Sequence, residues 1–168
     1  MHSKSIKLMC LSGVFMALVF VLTAYLHIPT NNGYVHVGDG IIYLAACILP
    51  TPYAIAVGAG GALLADCLTG FAIWAPASVV IKAATAAIFS SAGDRVMSLR
   101  NWLMQIPAAL ICAGGYYLYE SLIYGSFIAS LAGIPASLIQ SAASSILFVA
   151  LGLTADKAKC KLKLSGGL

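Results

Sequence analysis

Lys82 is the one charge in the apolar stretch 76–91, and at a rise of 1.5 Å per residue it lies about 9 Å inside the start of that stretch. An ammonium so placed in a bilayer costs about 2.5–3.5 kcal/mol, so it must face a polar cavity or a carboxylate. Trp74, Ser78 and Lys82 recur every four residues, which stacks an aromatic, a hydroxyl and a charge on one helix face, as in the wall of a small-molecule pocket. Two carboxylates accompany Lys82, Asp66 near the end of one apolar stretch and Glu120 near the end of another, and Glu120 stands one turn from Tyr116 and from Tyr124. Further on, Ser137, Gln140, Ser141 and Ser144 share a face at spacings of three and four. The connection 29–39 adds Asn31, Asn32, Tyr34, His36 and Asp39, which would supply donors, acceptors and a ring above such a pocket, in the manner of a lid. Each feature also has a plainer reading. Lys82 and Asp66 could merely brace two helices, the tyrosines could belong to an interfacial belt, the serines could serve helix packing, and the loop could simply be solvated.

The elements that must position these groups are membrane helices. Of 168 residues 61% are hydrophobic and 8% charged, against about 45–50% and about 25% for a soluble domain. Six apolar stretches follow one another at residues 6–26, 38–49, 53–69, 76–91, 102–124 and 127–153. The expected fold is an all-α integral membrane protein, six transmembrane helices in one bundle, forming a single domain over residues 1–168. Pro50 and Pro52 make the turn between the second and third stretches. The second is short for a span and is tilted, partly re-entrant, or lengthened by the loop before it. The first is too long for a signal-peptide core and ends in His27-Ile28-Pro29, without a small-x-small cleavage pattern.

Eight of the nine basic residues, Lys4, Lys7, Arg95, Arg100, Lys157, Lys159, Lys161 and Lys163, fall on one side of a six-span layout. The positive-inside rule makes that side the cytoplasm and puts both termini there, in a multi-pass protein of the cell membrane. The net charge of +4 is then topology and implies no nucleic acid. Cys10, Cys47, Cys67, Cys112 and Cys160 show no C-x-x-C spacing and read as small hydrophobes, with neither a metal site nor a bound cofactor indicated. Gly13 with Ala17, and Gly58, Ala62 and Asp66 with Gly61 and Ala65, form small-residue seams for close helix approach, to a partner in this chain or another.

Enzymatic readings find no support: G-x-x-x-x-G-K-[ST], H-E-x-x-H and G-x-S-x-G are all absent. Gly13-x-x-x-Ala17, Gly33-Tyr34-Val35-His36-Val37-Gly38-Asp39, Ala65-Asp66, Trp74-Ala75-Pro76-Ala77 with Lys82, Gly115-Tyr116 with Glu120, Tyr124-Gly125, and Ile134-Pro135-Ala136 with Gln140 come in that order over nearly the whole chain. In these features the chain resembles the S components of energy-coupling factor (ECF) transporters, small membrane subunits that capture a vitamin or related micronutrient. The resemblance implies a six-helix, non-enzymatic bundle with an outward-opening pocket closed by the loop after helix 1. It also implies a transmembrane coupling subunit and two ATPase subunits as partners, with Gly13 and Ala17 contacting the coupling subunit. ATP hydrolysis in those partners would tilt the S component and release its ligand inside. The Gly-Tyr-x-x-x-Glu and Ile-Pro-x-x-x-x-Gln segments look most like the pyridoxine or hydroxymethylpyrimidine subgroup, although Ser137 stands where many relatives have Asn. The substrate-binding set this implies is Tyr34, His36, Asp39, Trp74, Ser78, Lys82, Tyr116, Glu120, Ser137 and Gln140, with the rings stacking on a flat ligand and the polar groups taking its substituents. Two other classes are compatible with the residues: a self-sufficient proton-coupled carrier using Asp66, Lys82 and Glu120, and a non-transporting assembly subunit.

Overall fold

Apolar runs become helices, and prolines mark where several of them begin or break. The computed structural model describes residues 2–30 and 33–161, so the expectations placed on Asn31, Asn32 and Lys163 lie outside the described residues. Helix α1 (His2–Ala24) is followed by strands β1 (His27–Thr30) and β2 (Gly33–His36), then α2 (Asp39–Ile48) and α3 (Thr51–Leu68). A 3-10 turn at Ala72–Trp74 leads into α4 (Ala75–Ile88), and α5 (Leu99–Leu103), α6 (Gln105–Tyr124), α7 (Phe127–Ser130) and α8 (Ile134–Lys157) complete the chain. Pro52, Pro76 and Pro135 all occupy first-turn positions, where the missing N–H costs nothing.

The expected fifth and sixth helices each carry a break. Pro107 cannot donate to the carbonyl of Leu103, and the helix interrupts at Met104, separating α5 from α6. Pro135 likewise cannot donate to Leu131, and a 3-10 turn at Leu131–Gly133 separates α7 from α8. The bundle is all-α apart from one connection, which was expected as a plain loop. The connection after α1 is an antiparallel hairpin with His27 opposite His36, Ile28 opposite Val35 and Pro29 opposite Tyr34.

Among the described residues four helical segments are long and apolar enough to cross a membrane, namely Lys4–Ala24, Thr51–Leu68, Leu99–Tyr124 and Phe127–Lys157, while Asp39–Ile48 and Ala72–Ile88 are shorter. Packing explains why α2 is both short and apolar. Helices α1, α3, α4, α6 and α8 pack each on the next, and α2 fills the inside of that arc against α1, α3, α4 and α8. Eight of its ten residues are buried, which is the condition for a helix that is hydrophobic all round. From it Tyr43 stacks on Phe89 at 4.7 Å, and Phe148 meets Tyr43 edge-on at 5.9 Å.

The seam of α3 belongs to this chain's own packing. A side chain at Gly58 would come within 3.0 Å of the Lys82 carbonyl on α4, and one at Gly61 within 2.7 Å of Val19 on α1. Gly13 and Ala17 instead lie on the exposed face of α1, and nothing stands within 4 Å of where a Gly13 side chain would be.

Two basic clusters meet at one end of the bundle. Asp156 on α8 accepts hydrogen bonds from the Val96 and Met97 amides at 2.7 and 2.9 Å, and Lys161 donates to the Arg95 carbonyl at 3.5 Å. Lys161 is therefore buried rather than solvated.

Candidate functional site

At the opposite end the hairpin, α3, α4, α6 and α8 line an open cavity. Helix α3 contributes Asp66. Helix α4, entered through the 3-10 turn, contributes Trp74 and Ser78, four residues apart and so on one face. Helix α6 adds Tyr116 and Glu120 at the same spacing, and α8 adds Ser137 and Gln140. The hairpin supplies Thr30, Tyr34, Val35 and His36.

The hairpin is anchored by polar contacts. The Tyr34 hydroxyl donates to Asp66 Oδ1 at 2.5 Å, while the ring packs at 4.7 Å from Phe71 and 4.9 Å from His27. Burial, then the hydrogen bond to Asp66 and its charge, push the Tyr34 phenol above its usual range, so the hydroxyl stays a donor. His36 Nδ1 accepts from the Gly38 amide at 3.2 Å and lies 3.5 Å from Thr23 Oγ1. An amide can only donate, so Nδ1 is unprotonated and the ring proton sits on Nε2. Burial lowers this imidazole to about 4, which keeps it neutral at physiological pH.

The aromatic wall is built around α4 and α6. Trp74 meets the Tyr116 ring edge-on at 6.3 Å, and Ser78 Oγ is 2.9 Å from the Tyr116 hydroxyl. Glu120 Oε2 and Asp66 Oδ2 are buried without a hydrogen-bond partner among the described groups. An unpaired buried carboxylate oxygen is costly, and both of these belong to residues that line the cavity. Gly133 packs directly against the Glu120 carboxylate, where any side chain would overlap it.

Lys82 and Asp39 do not line this cavity. They form an ion pair beneath it, with Lys82 Nζ 2.8 and 2.9 Å from the two Asp39 oxygens, and their side chains are only 1% and 2% exposed. The expectation that Lys82 and Asp39 contact the ligand is therefore corrected, and the plainer alternative, a brace between Lys82 and Asp66, does not form either. Asp66 is engaged by Tyr34, and the carboxylate that meets the ammonium is Asp39, carried in by the first turn of α2, where the helix dipole also favours an anion. Gln140 joins the two layers, lining the cavity and donating from Nε2 to Asp39 Oδ2 at 3.0 Å.

The structure thus brings Tyr34, His36, Trp74, Ser78, Tyr116, Glu120, Ser137 and Gln140 to one cavity and leaves Asp39 and Lys82 below it. Ser141 and Ser144 are spent on the Ser137 and His36 carbonyls, and Tyr124 is exposed beyond the cavity. Sequence reasoning missed Thr30, Gly133 and the place of Asp66 in the wall. The Ala65-Asp66 motif carries no sign of which group meets Asp66, and nothing local marks Gly133 as the neighbour of a glutamate thirteen residues away.

The family model for the S component of ECF-type riboflavin transporters matches residues 3–157. No curated protein is similar enough to count as a match. With apolar helices of spanning length, a polar cavity at one end of the bundle and a family match over nearly the whole chain, this protein belongs to the ECF transporter S components, multi-pass membrane subunits that bind substrate for a transporter and are not enzymes.

Proposed function

We propose that this S component captures a small, flat heteroaromatic vitamin or vitamin precursor of the pyridoxine or hydroxymethylpyrimidine type. The observation that carries this reading is the pair of unpartnered carboxylate oxygens, Asp66 Oδ2 and Glu120 Oε2, in a cavity walled by Trp74 and Tyr116. A ring of that class offers a π-face to the aromatics and hydroxymethyl or amino protons to the carboxylates. Ser78, Ser137, His36 and Gln140 complete the polar wall, and Tyr34 closes the hairpin over it through Asp66.

S components work with an energising module of coupling and ATPase subunits. In our reading the ligand enters from outside while the six helices hold both termini in the cytoplasm, and Gly13 and Ala17, smooth and exposed on α1, are where the coupling subunit packs. ATP hydrolysis in the module then delivers the ligand inward.

The test is to purify the chain, release any ligand it carries, identify it by mass spectrometry, and titrate the emptied protein with pyridoxine, hydroxymethylpyrimidine and riboflavin. One of the first two should be recovered and should bind tightly. Recovery and tight binding of riboflavin, the substrate in the matched family's description, would overturn the small-ring assignment. Failure of all three would overturn the vitamin class. Uptake into liposomes should require the coupling and ATPase subunits; uptake by the chain alone under a pH gradient would point to a self-sufficient carrier.

A further inference from the structure

Gln140 faces the cavity on one side and the buried ion pair on the other. Its Nε2 donates to Asp39 Oδ2 at 3.0 Å and lies 3.7 Å from Cys112 Sγ. A carboxylate only accepts hydrogen bonds, so turning this amide over would set Oε1 against Asp39. Asp39 is itself held by Lys82, which also reaches Cys112 Sγ at 3.8 Å. The atom of Gln140 left for the cavity is therefore its carbonyl oxygen. Together with Asp66 Oδ2 and Glu120 Oε2 it makes a third acceptor on the wall. The donors on the same wall carry no charge: the Tyr34 proton goes to Asp66, one proton of the Ser78 and Tyr116 pair is spent between them, and His36 Nε2, Thr30 and Ser137 are neutral. Lys82, the cation that lies beneath this wall among the described residues, is held by Asp39.

We propose that Asp39 and Lys82 are positioning residues, a buried pair that locks the Gln140 carbonyl toward the cavity and so selects ligands rich in hydrogen-bond donors and free of anionic groups. This rests on the cavity being the ligand site. A pair that served only to brace α2 against α4 would affect stability but not the choice between ligands.

Two measurements on the purified full chain in detergent separate these cases. The first needs no ligand: compare melting of Asp39→Asn, Gln140→Glu and the combined exchange. In the combined variant an amide faces a carboxylate again, with the direction of donation reversed and an anion still beside Lys82. Each single change should lower the melting temperature, and the exchange should recover at least half of the summed loss. A loss equal to the sum of the two would overturn the proposed lock.

The second compares 4-amino-5-hydroxymethyl-2-methylpyrimidine with the same ring lacking its amino group. The parent chain should prefer the amino compound by about tenfold or more, the worth of a buried hydrogen bond. In Asp39→Asn combined with Lys82→Met, which leaves no orphan charge but frees the amide to turn, that preference should fall by about tenfold. An unchanged preference, with both affinities falling together, would reduce the pair to a brace. If the parent chain binds neither probe, the small-ring reading fails, while the melting exchange still decides the positioning role.

Discussion

Glu120→Gln should weaken ligand binding while leaving the empty protein as stable or more so. Among the described residues no protein group pairs with the buried Glu120 Oε2, so the carboxylate carries a desolvation cost of about 1–3 kcal/mol with no compensating bond inside the protein. Replacing it by an isosteric amide removes the charge and relieves part of that cost. In the complex the balance reverses. A ligand hydroxyl or amine donating to a carboxylate gains about 1.5–3 kcal/mol, and a neutral acceptor recovers roughly half of it. The expected loss is thus about 0.8–1.5 kcal/mol, or about 4–13-fold in Kd. The assay is titration of the purified chain with the ligand identified from it, beside a melting curve without ligand. Unchanged affinity would remove Glu120 from the site. A fall in affinity matched by a fall in melting temperature would make the residue structural, contrary to the argument from its unpaired oxygen.

Four further outcomes follow from the geometry. Gly133→Ala places a methyl group against both Glu120 oxygens and should weaken ligand affinity by about tenfold by displacing that carboxylate; wild-type affinity would show that Glu120 is free to move. Tyr34→Phe removes the bond to Asp66 and should raise the ligand off-rate, read by stopped flow, and speed hydrogen exchange in residues 33–36, because the hairpin loses its anchor. The buried imidazole of His36, lowered from 6.5 to about 4, binds its proton more readily in the unfolded chain, so its contribution to stability is complete above pH 6.5 and is lost as pH falls toward 4; melting in detergent should be flat from pH 7 to 8 and decline below 6.5, with a shallower decline in His36→Gln. Gly13→Leu should abolish co-purification with the coupling subunit while ligand binding survives, and an intact complex would place the contact elsewhere.

Particular residues show how far a linear reading reaches. The apolar runs place α1 to α4 to within about four residues at each end, because an apolar helix needs only composition and length, but they do not show the breaks at Met104 and Leu131–Gly133, so α8 begins seven residues after the run that contains it. The hairpin is not legible as strands: at four residues each, β1 and β2 are too short for periodicity to speak, and their residues read as a loop. Spacing of four along α4 and α6 correctly put Trp74 with Ser78 and Tyr116 with Glu120, since that neighbourhood is a property of a single helix.

Pairings between helices are a different matter. The scarcity of charge, 8% of the chain, marked Asp39, Asp66, Lys82 and Glu120 as groups that had to be accounted for, and hydropathy alone established a membrane protein. Which carboxylate neutralises Lys82 depends on the insertion of α2 inside the arc of helices, 43 positions away in sequence, and on the hairpin that brings Tyr34 onto Asp66. Local sequence carries the cost of burying a charge, because that cost is set by depth and dielectric. The partner that meets the cost is set by distances of about 3 Å between side chains on separate elements, and those distances exist only once the bundle has packed.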